Sequence, residues 1–162
     1  MSKIFKIMSY DSALQKAMWY CSFQERCQLD LENRFRAWNV EKENWDKLLD
    51  YLIDENYLNE ERYIEAFVRG KFRIKKWGKN KIKMGLMAKR VFNETLVIKA
   101  FDTEIDEEEY LKTLHGLIEQ KSNLLNEPDK LIERDKLYRY LLNKGYESEL
   151  VSRELSKQKT DY

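Results

Sequence analysis

The chain has 162 residues, 43% apolar and 36% charged, with a formal net charge of +1. That is enough apolar material to fill a core, which excludes global disorder, and five glycines with one proline disfavour a turn-rich β fold. Two cysteines, Cys21 and Cys27, and a single histidine, His115, are too few for a disulfide framework and argue against a structural zinc site.

The opening residues hold no apolar run long enough for a signal or membrane helix, so a reducing cytoplasmic setting and no membrane partner are expected. From Asp11, read as an N-cap, Ala13, Leu14, Ala17, Met18 and Cys21 form a helical stripe. A second helix covers CQLDLENRFRAW with Leu31, Phe35 and Trp38 inward. A third covers ENWDKLLDYLIDEN with Trp45, Leu48, Leu49 and Leu52. Asn59 is read as the N-cap of EERYIEAFVRGKFRIKKW, burying Tyr63, Phe67 and Ile74, and Trp77-Gly78-Lys79-Asn80 ends that helix. Ile82 and Leu86 belong to the next helix, a turn follows near Arg90, and helix resumes from Glu94 to Phe101. Acidic DTEIDEEEY leads into EEEYLKTLHGLIEQKSNLL. Glu127-Pro128-Asp129 breaks this helix and starts another that carries Leu137 and Leu141. After Gly145 and Tyr146, helix returns from Glu149.

These pieces repeat. A shift of 55 residues lays Ile82 on Leu137, Leu86 on Leu141, Lys89 on Lys144, Val91 on Tyr146 and Glu94 on Glu149. A shift of 51 the other way lays Ile82 on Leu31, Leu86 on Phe35 and Val91 on Val40. The spacing predicts three three-helix modules of about 50 residues, placed at 1–56, 57–105 and 106–162. Chance likeness between amphipathic helices is the rival. The matched acidic residue just past the turn counts against it, because a carboxylate suits a helix N-terminus.

Charge is unevenly spread. Residues 69–101 carry +10, while 35–68 and 102–162 carry −5 each. Between Arg69 and Arg90 stand ten cations and no acid: Arg69, Lys71, Arg73, Lys75, Lys76, Lys79, Lys81, Lys83, Lys89 and Arg90. Two readings stay open: a solvated helix surface, or a contact surface for an anionic polymer or an acidic protein face. The lack of compensating carboxylates favours contact, since exposed helices gain from mixed signs one turn apart. Lys75, Lys76 and Lys79 are the natural targets for charge reversal. Trp77 either stacks on a base or packs the turn.

Catalysis finds little support. GKNKIKMG lacks the spacing and hydroxyl of a nucleotide-binding loop, and His115 has no evident partner. Glu107, Glu108 and Glu109 are consecutive on a helix and do not converge on one ion. Cys27 reads as buried beside the Leu31 stripe. No cofactor and no enzymatic activity are expected.

The stretches YCSFQERCQLDLENRFRAWNV, LLDYLIDENYLNEERYIEAFVRGKF and WGKNKIKMGLMAKRVFNETLVIKAF, with KLYRYLLNKGYESELVSREL, resemble the RecX family of recombination regulators. The likeness spans roughly residues 12–157. It implies an all-α, elongated, right-handed array of three tandem three-helix repeats. It further implies a regulator that binds the RecA recombinase filament, restrains its ATP hydrolysis and strand exchange, and touches single- and double-stranded DNA. Tyr57, Leu58, Glu61, Arg62 and Tyr63 match the family's turn-plus-helix motif. Phe67, Arg69, Gly78 and Ile82 match its basic connector and the helix after it, and Lys144-Gly145-Tyr146 its terminal turn. Asn39 and Arg90 stand where family turns often carry Gly, which puts the turn geometry in question. Glu60 replaces the usual Asp before the Glu-Arg pair. A general nucleic-acid-binding helical module is the alternative function.

Overall fold

Helices here begin where a short polar side chain can accept the first free N–H groups. Ser9 accepts from the Ser12 N–H, Asn59 from Arg62, Asn93 from Leu96, Asp106 from Glu109, and Asp129 from Leu131 and Ile132. A computed structural model describes residues 6–158. Among them are nine α-helices: α1 Tyr10–Phe23, α2 Gln28–Ala37, α3 Trp45–Asp54, α4 Glu60–Arg73, α5 Lys79–Ala88, α6 Glu94–Glu104, α7 Glu107–Leu125, α8 Lys130–Asn143 and α9 Ser148–Lys157. No strand occurs among the described residues. The nearest thing is an isolated bridge from Met8 to Val40, which ties the start of the chain to the first turn.

The architecture is all-α and built of repeated three-helix units. Accessible surface is 11102 Å², where a compact monomer of this length exposes roughly 8,600 Å². The excess fits an extended array. Two expectations need correction. Asp11 does not cap α1, because the Ser9 hydroxyl reaches the free N–H first and leaves Asp11 inside the first turn. Ile74 is not buried but 77% exposed, since α4 turns Tyr63, Ile64, Val68 and Phe72 inward and stops at Arg73. Trp38 and Trp45 pack against the first core without being sealed in it.

After α2, α5 and α8 the chain makes the same turn three times. Asn39, Arg90 and Gly145 take the left-handed conformation, with φ of 56°, 58° and 97°. The next residue then folds back: Val40 N–H to the Phe35 carbonyl, Val91 to Leu86 and Tyr146 to Leu141, at 2.9, 3.0 and 3.1 Å. Each of these three residues is buried. The turn is a helix-ending motif that needs one residue of positive φ, whichever side chain occupies it. Arg90 therefore adopts it despite its Cβ, at a cost of about 1–2 kcal/mol.

The interior divides in two. Ala13, Ala17, Leu31, Phe35, Leu48, Leu49 and Leu52 make one core with Leu58, and Tyr57 packs on it. The second and third units share the other, from Ile64 and Phe72 through Tyr110 to Leu141 and Tyr146, and the start of α2 reaches into it with Cys27 and Leu29, so Cys27 is buried there and not in the core of Leu31. They join where two glycines cross. The Gly78 N–H donates to the Lys144 carbonyl at 2.8 Å and the Asn80 N–H to the Gly145 carbonyl at 2.9 Å. Tyr110 Oη accepts from the Lys79 N–H at 3.0 Å and donates to Glu147 at 2.8 Å, while Tyr146 Oη donates to the Lys76 carbonyl at 2.9 Å. A Cβ at Gly78 would stand 2.3–2.4 Å from Gly145 C and O and Tyr146 N, which are backbone atoms that cannot swing aside.

In the third unit Glu154 is buried to 3% exposure. His115 Nε2, Lys157 Nζ and Arg153 Nε meet its carboxylate at 2.8, 2.9 and 3.1 Å. His115 thus has a partner, contrary to the sequence reading, because α8 packs against both α7 and α9 and the fold brings Glu154 within reach of α7. Those hydrogen bonds, the one to His115 first, hold the Glu154 carboxyl down to about 2.

Two outcomes follow from this packing. Gly78→Ala should cost about 3 kcal/mol and lower the melting temperature by roughly 6–12 °C. Gly70→Ala on α4, where a Cβ meets nothing within 4 Å, should instead stabilise by roughly 0.5–1 kcal/mol; equal effects would refute the crossing as a constraint. Glu154 contributes stability that is complete above its ordinary range and is lost as pH falls from about 4.5 towards about 2. Melting temperature against pH should therefore be flatter over that interval in Glu154→Gln than in the parent chain.

Candidate functional site

The ten cations of the basic run fall into three groups in space. Five are paired with acids that other parts of the chain supply: Arg69 with Glu104 at 3.5 Å, Lys79 with Glu107 at 2.6 Å, Lys83 with Glu94 at 3.7 Å, Lys89 with Asp30 at 2.9 Å and Arg90 with Glu32 at 3.9 Å. The absence of compensating carboxylates is therefore true along the chain and untrue in the fold. The acids come from all three units: Asp30 and Glu32 from the first, Glu94 and Glu104 from the second itself, and Glu107 from the third.

Lys71 and Lys81 make the second group. Their ammonium groups lie 4.8 and 4.7 Å from the Trp77 ring centroid, and Lys71 also lies 5.3 Å from Phe67. Trp77 packs against Gly85, where a Cβ would press on its ring at 3.3 Å. With cations over it and α5 against it, the indole serves the turn rather than offering a free face to a base.

The third group is Arg73, Lys75 and Lys76, all exposed. Their side chains carry no ion pair among the described residues. They sit where α4 ends, and Lys76 holds a left-handed φ of 56°. Lys144 joins them, its ammonium donating to the Lys75 carbonyl at 3.4 Å. Lys144 was not among the expected site residues, although the 55-residue shift that matched it to Lys89 was the signal that could have found it. Arg26 was missed too. With Lys71, Lys75 and Lys89 it lines a groove of about 460 Å³, whose apolar wall includes Phe67 and the exposed Ile74. Nothing in the run of residues 67–90 announces Arg26, which arrives from the α1–α2 connection.

Little here suits bond-making chemistry. Burial raises the Cys27 thiol and pushes Cys21 up to about 11, so neither is a ready thiolate at neutral pH. Burial alone would raise the Asp30 carboxyl, but hydrogen bonds from Lys89 and the Cys27 N–H outweigh it and hold the group below the usual range. Among the described residues no group of three or more His, Cys, Asp or Glu is placed to hold a metal ion, and no helix is long and apolar enough to cross a membrane. The left-handed Arg90 gives a direct test of strain. Arg90→Gly removes about 1–2 kcal/mol of steric cost and adds roughly 0.5–1 kcal/mol of lost chain freedom, so stability in denaturant should rise slightly. A fall would show that the pair with Glu32 outweighs the strain.

The chain resembles known proteins over most of its length. Residues 59–95 match the description "RecX, second three-helix domain" and residues 107–155 match "RecX, third three-helix domain". The regulatory protein RecX of Clostridium perfringens (strain SM101 / Type A) is 33% identical over 119 residues, 72% of this chain and 54% of that protein. That of Streptococcus uberis is 32% identical over 149 residues, 92% of this chain and 55% of that protein. The chain thus spans about half the length of these relatives. The crystal structure of RecX from Lactobacillus salivarius shares the fold with a TM-score of 0.79 and 20% identity, covering 91% of this chain and 95% of that one. Repeated three-helix units, their shared turn and these likenesses agree: the chain belongs to the RecX family.

Proposed function

We propose that this chain is a non-catalytic regulator of recombination that binds the RecA–DNA filament and restrains RecA ATP hydrolysis and strand exchange. The observation that carries the reading is the exposed, unpaired trio Arg73, Lys75 and Lys76 on the α4–α5 turn, with Lys144 beside it. Three cations whose side chains hold no ion pair among the described residues can meet phosphate oxygens without breaking one. Such contacts position a polymer without reading its sequence. Family membership supports the choice of a recombinase filament over bare DNA, and the acidic flanks offer separate surfaces for protein.

Substoichiometric action is the test. The purified protein should slow RecA ATPase at well below one copy per recombinase subunit. Inhibition only through sequestering free DNA, with no RecA contact, would instead support a general nucleic-acid-binding module. Charge reversal belongs at Arg73, Lys75 and Lys76. Lys79 is unsuitable, because its side chain meets Glu107 and its N–H meets Tyr110 at the joint between units. Arg73→Glu with Lys75→Glu and Lys76→Glu should weaken filament and DNA association together while shifting stability by only ~0.5 kcal/mol. Each lost phosphate contact should reduce the log–log salt slope by roughly 0.7–0.9. Leu86→Ala, in the core, should cost roughly 2–5 kcal/mol and lower binding only through unfolding, which circular dichroism separates. A folded triple variant that binds at full strength would show the trio to be solvated surface.

A further inference from the structure

The first and second units meet at a joint that occupies the place of the glycine crossing but lacks its chemistry. The 51-residue shift puts Cys27 where the second unit has Gly78, and the 55-residue shift puts Arg90 where the third has Gly145. Neither side chain lets the backbones approach. Among the described residues no backbone hydrogen bond links the start of α2 to the turn after α5, whereas two link the corresponding segments at Gly78 and Gly145. Hollows of about 420 and 460 Å³ open beside the start of α2 instead. Three side-chain ion pairs clasp the joint: Arg62 to Glu25 at 2.9 Å, Lys89 to Asp30 at 2.9 Å and Arg90 to Glu32 at 3.9 Å.

These pairs are lopsided. The Lys89 and Arg90 side chains are 41% and 69% exposed, while Asp30 and Glu32 are only 14% and 20% exposed. An anion from solvent reaches the cations readily, whereas the carboxylates regain full hydration only if the units part. Lys89 also shares one hollow with Lys71 and Lys75, next to the unpaired trio. A polymer lying on the trio is thereby brought to the clasp.

We infer that a phosphodiester polymer competes with Asp30 and Glu32 for Lys89 and Arg90, so that its binding opens the first joint and lets the first unit swing away from the other two. This rests on the polyanion reading of the basic unit. Exchanging a carboxylate for a phosphate leaves each cation with one anionic partner, so the exchange at the clasp is close to balanced. Added contacts at Arg73, Lys75 and Lys76 tip it. Once uncovered, Asp30 and Glu32 repel the phosphates that displaced them, which separates a closed free state from an open bound one. The second joint holds, since besides the Lys79–Glu107 pair it has backbone hydrogen bonds and buried tyrosines that an anion from solvent cannot displace.

The test places fluorescent dyes, on non-natural ketone side chains, at exposed Asp50 in α3 and Glu119 in α7. Energy transfer and the anisotropy of a labelled short oligothymidylate are read in the same samples. Transfer efficiency should change as the oligonucleotide saturates. The double variant Asp30→Asn with Glu32→Gln should show the bound value without DNA and bind the oligonucleotide about threefold or more tightly, since opening no longer opposes binding. Should circular dichroism show that the double variant unfolds, Glu32→Gln alone must move partway to the bound value. Bound oligonucleotide with unchanged transfer overturns the hinge and leaves the polyanion reading standing. No change in anisotropy overturns both.

Discussion

Gly78 and Gly145 cross at backbone contact, and most of what is distinctive in this molecule depends on that approach. It lets the Gly78 and Asn80 N–H groups find carbonyls of the neighbouring unit. It brings the tilted rings of Tyr110 and Tyr146 to 5.1 Å between centroids, with Phe72 a further 5.8 Å from Tyr110. Two units thereby share one core, rather than meeting as separate bodies. Burial of three large rings supplies the apolar gain, and the two tyrosine hydroxyls are satisfied by Lys79 and Glu147 at Tyr110 and by Lys76 at Tyr146. A single methyl group at either glycine would force the backbones apart and expose that set together.

The same repeat carries a second joint with different residues, and the difference is one of directional chemistry. Backbone hydrogen bonds are fixed by the fold, so a solvent ion has nothing to displace. Side-chain ion pairs at half-exposed positions are weak, screened by salt and open to exchange. One scaffold thus yields a fused second and third unit, and a first unit joined to them by ion pairs around the buried Cys27. This also explains where the basic run spends its charge. Five of its cations are tied to acids, among them Lys79 at the fused joint and Lys89 and Arg90 at the clasped one. Lys71 and Lys81 lie over Trp77, and among the described residues the trio at the end of α4 is left over for a partner outside the chain.

Much of the fold was legible in the sequence because amphipathic stripes, polar caps and the 51- and 55-residue shifts are local or periodic signals. Asn59 and the stripe of Leu48, Leu49 and Leu52 are read directly. Ile74 misled because an apolar residue past the last turn looks like a continuation of the stripe until the helix end is known. The site was less legible. A charge run is one-dimensional, and neither Glu104 beside Arg69 nor Asp30 beside Lys89 is a neighbour along the chain. His115 and Glu154 likewise stand 39 residues apart, and no periodicity links them. Both glycines were visible as motif residues, yet nothing in the sequence says that they touch each other.

Arg90 shows why the turn and the charge have to be considered together. Its position in the repeat demands a left-handed residue, and Asn39 and Gly145 meet that demand at little cost. Arginine meets it badly, so steric preference does not account for its presence. Lys76, likewise left-handed, follows α4 as the last member of the trio. Two cations in strained geometry on either side of α5 place their charge on tight turns, where the backbone bends away and leaves the side chains accessible. Strain of this kind persists where the surrounding packing over-determines it, here through buried Val91 behind Arg90 and half-buried Trp77 behind Lys76. The apolar residue that follows each cation anchors the turn. The cation itself stays outside, in reach of whatever anion the molecule meets.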